Sequence, residues 1–201
     1  MAIKLYWCPR TRAVRAVWLL EEIGASYEIV RIDVRAGEQN DPAFRAISPL
    51  GKVPALVDGG TVVAESGAIC AYLGDRFPEA NLAPPISSPL RGPSLRWLFF
   101  AAGCIEPAFA DRMLKREGQV PHLSASWGSF DSVATTLRDG LARGPWLLGD
   151  SFSTADVLVG SGVQWGVQAK LLPDDATFGG YVKRLEARPA WQRTLAIEAA
   201  G

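Results

Sequence analysis

Apolar and polar residues alternate from Ile3 to Tyr6, a short run that predicts a buried strand. From about Arg12 the period lengthens. Val14, Val17, Trp18 and Leu20 recur at helical spacing, and Gly24 supplies a stop, so a helix is expected to end at Ile23. Tyr27 to Ile32 alternates again and predicts a second strand, giving a β-α-β unit with a right-handed crossover. Asp41 to Ile47 predicts a short helix or turn. Ala55 to Val57 and Thr61 to Ala64 flank Asp58-Gly59-Gly60, the pattern of an antiparallel hairpin. Ser66 to Phe77 then reads as a helix, with Ala68, Ile69, Tyr72 and Leu73 as its packing face.

That order of elements is the order of a thioredoxin-like domain. Beyond it the composition changes: Pro78, Pro84, Pro85, Pro89 and Pro93 punctuate a stretch that reads as a linker, and strand signals fade. Helices are expected over about 93–117, 123–142, 154–170 and 178–187, with a last one after Pro189. The fold class is therefore α/β plus all-α. A thioredoxin-like domain at 1–78 and a linker at 79–92 lead into an all-helical domain at 93–201. The clearest helix start is Ser153-Thr-Ala-Asp156, a capping box with Asp in place of the usual Glu or Gln, flanked by Phe152 and Val157 as a hydrophobic staple. Asp156 is read as fold-stabilising.

Charge and composition narrow the partners. The 21 basic and 21 acidic residues cancel, which removes the electrostatic case for nucleic acid or an anionic membrane. No apolar run approaches the roughly 20 residues needed to span a bilayer, and the chain enters its first strand directly after Met1, without a signal-peptide pattern. Cys8, Cys70 and Cys104 have neither metal-ligand spacing nor a disulfide framework, so no metal is expected and a cytoplasmic, reducing setting fits best. The single histidine, His122, excludes a mechanism that needs two and is expected on a helix surface.

Two segments carry the chemistry. In Ser48-Pro-Leu-Gly-Lys-Val-Pro-Ala-Leu-Val57 a strand is entered through a proline, which leaves the backbone of Val53 free to pair with something other than a strand. In Val63-Ala-Glu-Ser-Gly-Ala-Ile69 a helix opens at Ser66, where a hydroxyl and the first free N–H groups can meet a carboxylate. Glu65 beside it can hold an ammonium. A carboxylate and an ammonium on one carbon, followed by peptide bonds, describe glutathione.

With these motifs the chain resembles the glutathione S-transferase family over nearly its whole length. The resemblance implies that Pro54 is a cis proline, that the Val53 main chain pairs with the cysteinyl part of glutathione, and that Ser66 and Glu65 hold the γ-glutamyl group. Lys52 reaches the glycyl carboxylate or is a solvated loop lysine. Trp7-Cys-Pro-Arg-Thr-Arg, at the end of the first strand, is where the family presents its reactive group. Cys8 before Pro9 is similar to the omega-type cysteine, where tau-type members carry serine, and the serine of theta- and delta-like members aligns with Thr11. A thiol here lies near the positive end of a helix and near Arg10 and Arg12, both of which favour thiolate; Cys8 as a buried small hydrophobe is the other reading. Trp7 stands where the alpha, mu and pi classes place tyrosine, with Tyr6 on the opposite face of the strand.

Cys70 and Cys104 are read as core residues. Trp97 and Phe100, with Arg96, are expected to line a hydrophobic acceptor pocket. The resemblance implies a bacterial-type homodimer serving detoxification, with glutathione as co-substrate and a small hydrophobic electrophile as acceptor. Two alternatives stand beside this transferase: a glutathione-dependent thiol transferase or reductase with Cys8 as nucleophile, and a non-catalytic interaction module.

Overall fold

A computed structural model describes residues 3–116, 118 and 124–201. The expected helix at 123–142 begins, and that at 93–117 ends, on residues outside this range, and so does His122. By contact the chain divides into two compact units, 1–81 with 187–201, and 82–186.

The first unit is built on four strands, β1 (Ile3–Trp7), β2 (Tyr27–Arg31), β3 (Ala55–Asp58) and β4 (Thr61–Ala64), in the order β2-β1-β3-β4. β1 pairs parallel with β2, from Ile3 opposite Tyr27 to Trp7 opposite Arg31, and antiparallel with β3, from Lys4 opposite Val57 to Tyr6 opposite Ala55. The β3–β4 hairpin turns at Gly59 and Gly60, with Asp58 opposite Thr61. This is the thioredoxin-like sheet expected from the pattern. Helix α1 (Val14–Ile23) crosses between β1 and β2, a short α2 (Pro42–Ile47) precedes β3, and α3 (Ser66–Arg76) follows β4. α1 starts two residues later than its apolar spacing suggests. Arg10 is left-handed (φ 58°) and Thr11 Oγ1 accepts the Ala13 N–H at 3.2 Å, so the chain turns before it coils. Gly24, at φ 72°, ends α1 by donating its N–H to the Leu20 carbonyl.

The last helix, α9 (Pro189–Ala200), was expected within the helical domain but makes its contacts in the first unit, against α1. The Trp18 and Trp191 rings meet edge-on at 4.9 Å. Arg188 forks onto the Glu22 carboxylate at 2.6 and 2.7 Å, and Arg193 Nε donates to Glu21 at 2.7 Å. Helical periodicity identifies the element; the ring contact and the paired charges on α1 place it in the first unit.

In the second unit α4 (Arg91–Phe100) runs through a π-helical turn at Ala101–Ile105 into α5 (Glu106–Met113), where one unbroken helix was expected. Pro107 explains the turn: it has no N–H for the Gly103 carbonyl and crowds it, and a wider turn just ahead relieves both problems. α6 (Phe130–Leu141) begins later than expected because Gly128 is left-handed (φ 70°) and Ser129 caps the helix, accepting the Ser132 N–H at 3.1 Å. α7 (Thr154–Gln168) and α8 (Phe178–Glu186) complete the unit.

α7 is buried over most of its length, and its start carries a fully buried carboxylate, Asp156. Its Oδ2 accepts from the Ser153 N–H (3.0 Å) and hydroxyl (2.9 Å), its Oδ1 from the Leu147 N–H (2.9 Å) and the Tyr181 hydroxyl (2.9 Å). Burial raises the Asp156 pKa against the pull of these donors, and burial together with the Asp156 charge lifts that of Tyr181 well above its ordinary value. Asp156→Ala strands every one of these buried donors and is expected to cost about 3–5 kcal/mol, read as a lower midpoint in urea. Tyr181→Phe, which removes a single donor, is expected to cost about 1 kcal/mol.

Candidate functional site

The thioredoxin-like unit holds a cavity of about 510 Å³. Its walls come from four places in the chain: Arg10, Thr11 and Arg12 between β1 and α1; Val34 and Gln39 between β2 and α2; Ser48, Gly51, Lys52, Val53 and Pro54 on the way into β3; and Glu65 and Ser66 where β4 passes into α3. The motifs singled out in the sequence thus converge on one space.

The Val53–Pro54 peptide is cis. Val53 precedes the ladder, whose first paired residue on β3 is Ala55. The approach to it is fixed by Ser48, a buried side chain whose hydroxyl donates to the Lys52 carbonyl at 2.9 Å and accepts the Lys52 N–H at 3.1 Å. Lys52 is thereby held by its backbone, with its side chain exposed at the cavity. Gly51 is left-handed (φ 62°), and a Cβ there would lie 2.7 Å from the Gln39 carbonyl oxygen.

Across the cavity, Glu65 forms the corner between β4 and α3 with φ 72° and ψ 125°, a backbone that L side chains rarely adopt. Ser66 is the first residue of α3, and the first helical bond runs from the Ile69 N–H to the Glu65 carbonyl at 2.9 Å. No side chain caps this end, so the leading N–H groups and the Ser66 hydroxyl are left for a ligand. Glu65 stands at the N-cap position without a side-chain cap bond, and Ser66 follows as the first helical residue.

The two candidates for the reactive position separate. Thr11 lines the cavity; its hydroxyl donates to the Cys8 carbonyl at 2.7 Å. Cys8 is buried, 8% exposed, and is not among the lining residues. Tyr6 and Trp7 do point to opposite faces of β1. Tyr6 meets the Phe44 ring of α2 at 5.6 Å, and Trp7 Nε1 donates to Glu198 of α9 at 2.6 Å. Cys70 is fully buried on α3 and burial pushes its thiol up to about 12; burial also raises Cys104.

The three residues expected at an acceptor pocket lie on α4, in the other unit, and do not line this cavity. Trp97 is a core side chain: a Cβ on Gly140 of α6 would run into its ring. Arg96 lies exposed over the Trp97 and Phe100 rings, 4.1 and 5.0 Å from their centroids, and Phe100 is half-buried. Among the described residues no group of histidine, cysteine and carboxylate side chains could hold a metal ion.

Sequence reasoning did not assign Arg10, Arg12, Val34, Gln39, Ser48 and Gly51 to the cavity. Ser48 and Gly51 stand inside the motif that drew attention to the site. Gln39 sits in a 3₁₀ turn (Glu38–Asn40) of a polar stretch, where nothing in the local pattern marks it. Its Oε1 is buried without a hydrogen-bond partner.

Residues 1–75 match the family model described as glutathione S-transferase, N-terminal domain. The glutathione S-transferase hmp2 of Hypomyces subiculosus is 30% identical, over 78% of this chain and 79% of its own. The chain belongs to the glutathione S-transferase family. The disulfide-bond oxidoreductase YfcG of Escherichia coli is 28% identical over 96% of this chain and 94% of its own. A glutathione transferase family member from Pseudomonas fluorescens, solved with two glutathione bound, is 27% identical with a TM-score of 0.79, over 96% of this chain and 92% of that one.

Two predictions rest on the site's construction. Gly51→Ala, forced into a left-handed backbone and against the Gln39 carbonyl, should lower stability by about 1–3 kcal/mol, measured by chemical denaturation. At pH 8 native Cys70 should resist iodoacetamide while the unfolded chain is labelled there at once, because a thiol titrating near 12 carries almost no thiolate; peptide-resolved mass spectrometry reads the difference.

Proposed function

We propose that the protein is a glutathione transferase that binds glutathione in this cavity and delivers its thiolate to a small hydrophobic electrophile. The observation that carries the reading is the convergence of Val53, Pro54, Glu65 and Ser66 on one cavity together with three cations, Arg10, Arg12 and Lys52. Glutathione brings two carboxylates and one ammonium, and a further negative charge once its thiol ionises. A wall with three cations and one carboxylate complements that balance.

The γ-glutamyl carboxylate lies at the N-terminus of α3 on the Ser66 hydroxyl and the free N–H groups, with its ammonium on Glu65. The Val53 main chain pairs with the cysteinyl peptide. Lys52 takes the glycyl carboxylate, and the Gln39 amide supplies a further polar contact. Thr11, rotated away from the Cys8 carbonyl, donates its hydroxyl to the sulfur, favouring the thiolate and lowering its pKa. The thiolate then attacks the electrophile, a carbon–sulfur bond forms, and the leaving group departs with its electron pair.

Thr11 lines the cavity, whereas Cys8 is buried and does not line it, which favours conjugation over chemistry on a protein thiol. The oxidoreductase name of the YfcG relative keeps a reductase reading in view. In keeping with its family, we read the protein as a cytoplasmic homodimer in detoxification; its cysteines are free thiols, as a reducing compartment would keep them.

Steady-state conjugation of a chloronitrobenzene tests the assignment. Thr11→Val should lower kcat/KM by about ten- to a hundredfold and raise the pKa of the bound glutathione thiol, while Cys8→Ser stays close to wild type. Loss of activity in Cys8→Ser, with a glutathione disulfide on Cys8 after mild oxidation of the wild type, would establish the reductase instead. Failure to bind immobilised glutathione would favour the interaction module. A monomeric mass at micromolar concentration would contradict the dimer.

A further inference from the structure

The segment between β1 and α1 lines the cavity with Arg10, Thr11 and Arg12. Arg10 is exposed and left-handed (φ 58°), and the ties within the segment are short-range: the Thr11 hydroxyl donates to the Cys8 carbonyl and accepts the Ala13 N–H. The stronger tie comes from the far end of the chain. Glu198, on the last turn of α9, accepts the Trp7 indole N–H on one carboxylate oxygen at 2.6 Å and the Arg10 backbone N–H on the other at 2.8 Å. Both donors bracket Cys8 and Pro9, and both partners belong to the same unit.

A carboxylate that grips two donors with separate oxygens fixes their spacing as well as their position, and charge-assisted bonds of this length are the strong kind. Arg10 is the residue directly before Thr11, so holding its N–H sets the direction in which the chain delivers Thr11 to the cavity. Nearby packing leaves Trp7 little room to move: its ring is buried, and a Cβ at Gly201 would run into it. α9 itself is anchored at its other end, where Arg188 forks onto Glu22 and Trp191 meets Trp18. The carboxylate therefore stands on a helix that cannot easily drift.

We propose that Glu198 is a positioning residue for the thiol-activating loop. Through Trp7 and the Arg10 N–H it holds the backbone that aims Thr11 at the glutathione sulfur. It touches no substrate. The inference rests on the glutathione reading of the cavity, but the latch itself is a property of the free protein and is tested there first.

Three variants separate the latch from general loosening. Glu198→Ala removes both acceptors. Glu198→Gln keeps one acceptor oxygen and turns an NH₂ toward the other donor, so its effect should fall between alanine and wild type. Arg188→Ala weakens the opposite end of α9 and leaves the loop untouched. Without glutathione, peptide-resolved alkylation of native Cys8 should speed up about tenfold in Glu198→Ala as the loop loosens and remain at the wild-type rate in Arg188→Ala, even where the two variants lose similar thermal stability. With glutathione, Glu198→Ala should lower kcat about tenfold and raise the bound thiol's pKa, with KM for glutathione changed less than about threefold, because α3 and Val53 still hold the tripeptide.

Wild-type alkylation and wild-type thiol pKa in Glu198→Ala would overturn the proposal, as would equal changes in Arg188→Ala. If the wild type binds no glutathione while Cys8 alkylation follows the expected pattern, the functional reading fails and the latch stands.

Discussion

Everything at the site depends on one backbone corner. Glu65 occupies a left-handed φ of 72° between β4 and α3, a conformation that costs a side-chain-bearing residue about 1–3 kcal/mol. Such a corner survives only where its surroundings hold both ends. Ala64 is paired with Ala55 in the sheet, and Ile69, which makes the first bond of α3, is fully buried. The sharp turn brings the uncapped end of α3 next to Val53 and sets a carboxylate beside free N–H groups. A relaxed, capped start to the helix would satisfy the same backbone groups internally and leave nothing for a ligand.

Around that corner the unit spends its polar groups on holding short irregular segments still. Ser48 pins the backbone of Lys52, Gly51 lets the loop pass close to Gln39, and Glu198 grips both sides of Cys8-Pro9. None of these segments has a ladder or helix of its own to fix it. The second unit shows the same physics in a drier setting, where Asp156 gathers backbone and hydroxyl donors from separate stretches of chain at the start of α7. Glu198 and Asp156 are each a carboxylate on a helix that gathers a backbone N–H from an irregular segment together with a side-chain donor.

Legibility followed chain distance. The strand and helix order of the first unit, the hairpin at Gly59-Gly60, and the pairing of Val-Pro with Glu-Ser could be read because each signal lies within a few neighbouring residues. Gln39 and Glu198 could not: one is a polar residue in a polar turn, and the other meets Trp7 across 191 positions. The same limit applies to α9, whose period marks a helix while its partner is met through Trp18, Glu21 and Glu22 on α1. Trp97, read as a pocket residue, is claimed by the space that Gly140 leaves open on α6. Cys8 carried the right neighbours for a reactive thiol, but one-dimensional spacing cannot tell a residue that lines a cavity from a buried one that does not.

The central claim is that the corner at Glu65 and the entry to β3 together form a seat for glutathione. A two-dimensional ¹H–¹⁵N titration with reduced glutathione tests it most directly, since each amide reports its own surroundings. The account predicts saturable shifts concentrated at Val53, Ser66, Gly67 and Thr11, with the amides of α7 unmoved. Shifts confined to other residues, or none at millimolar glutathione, would contradict it.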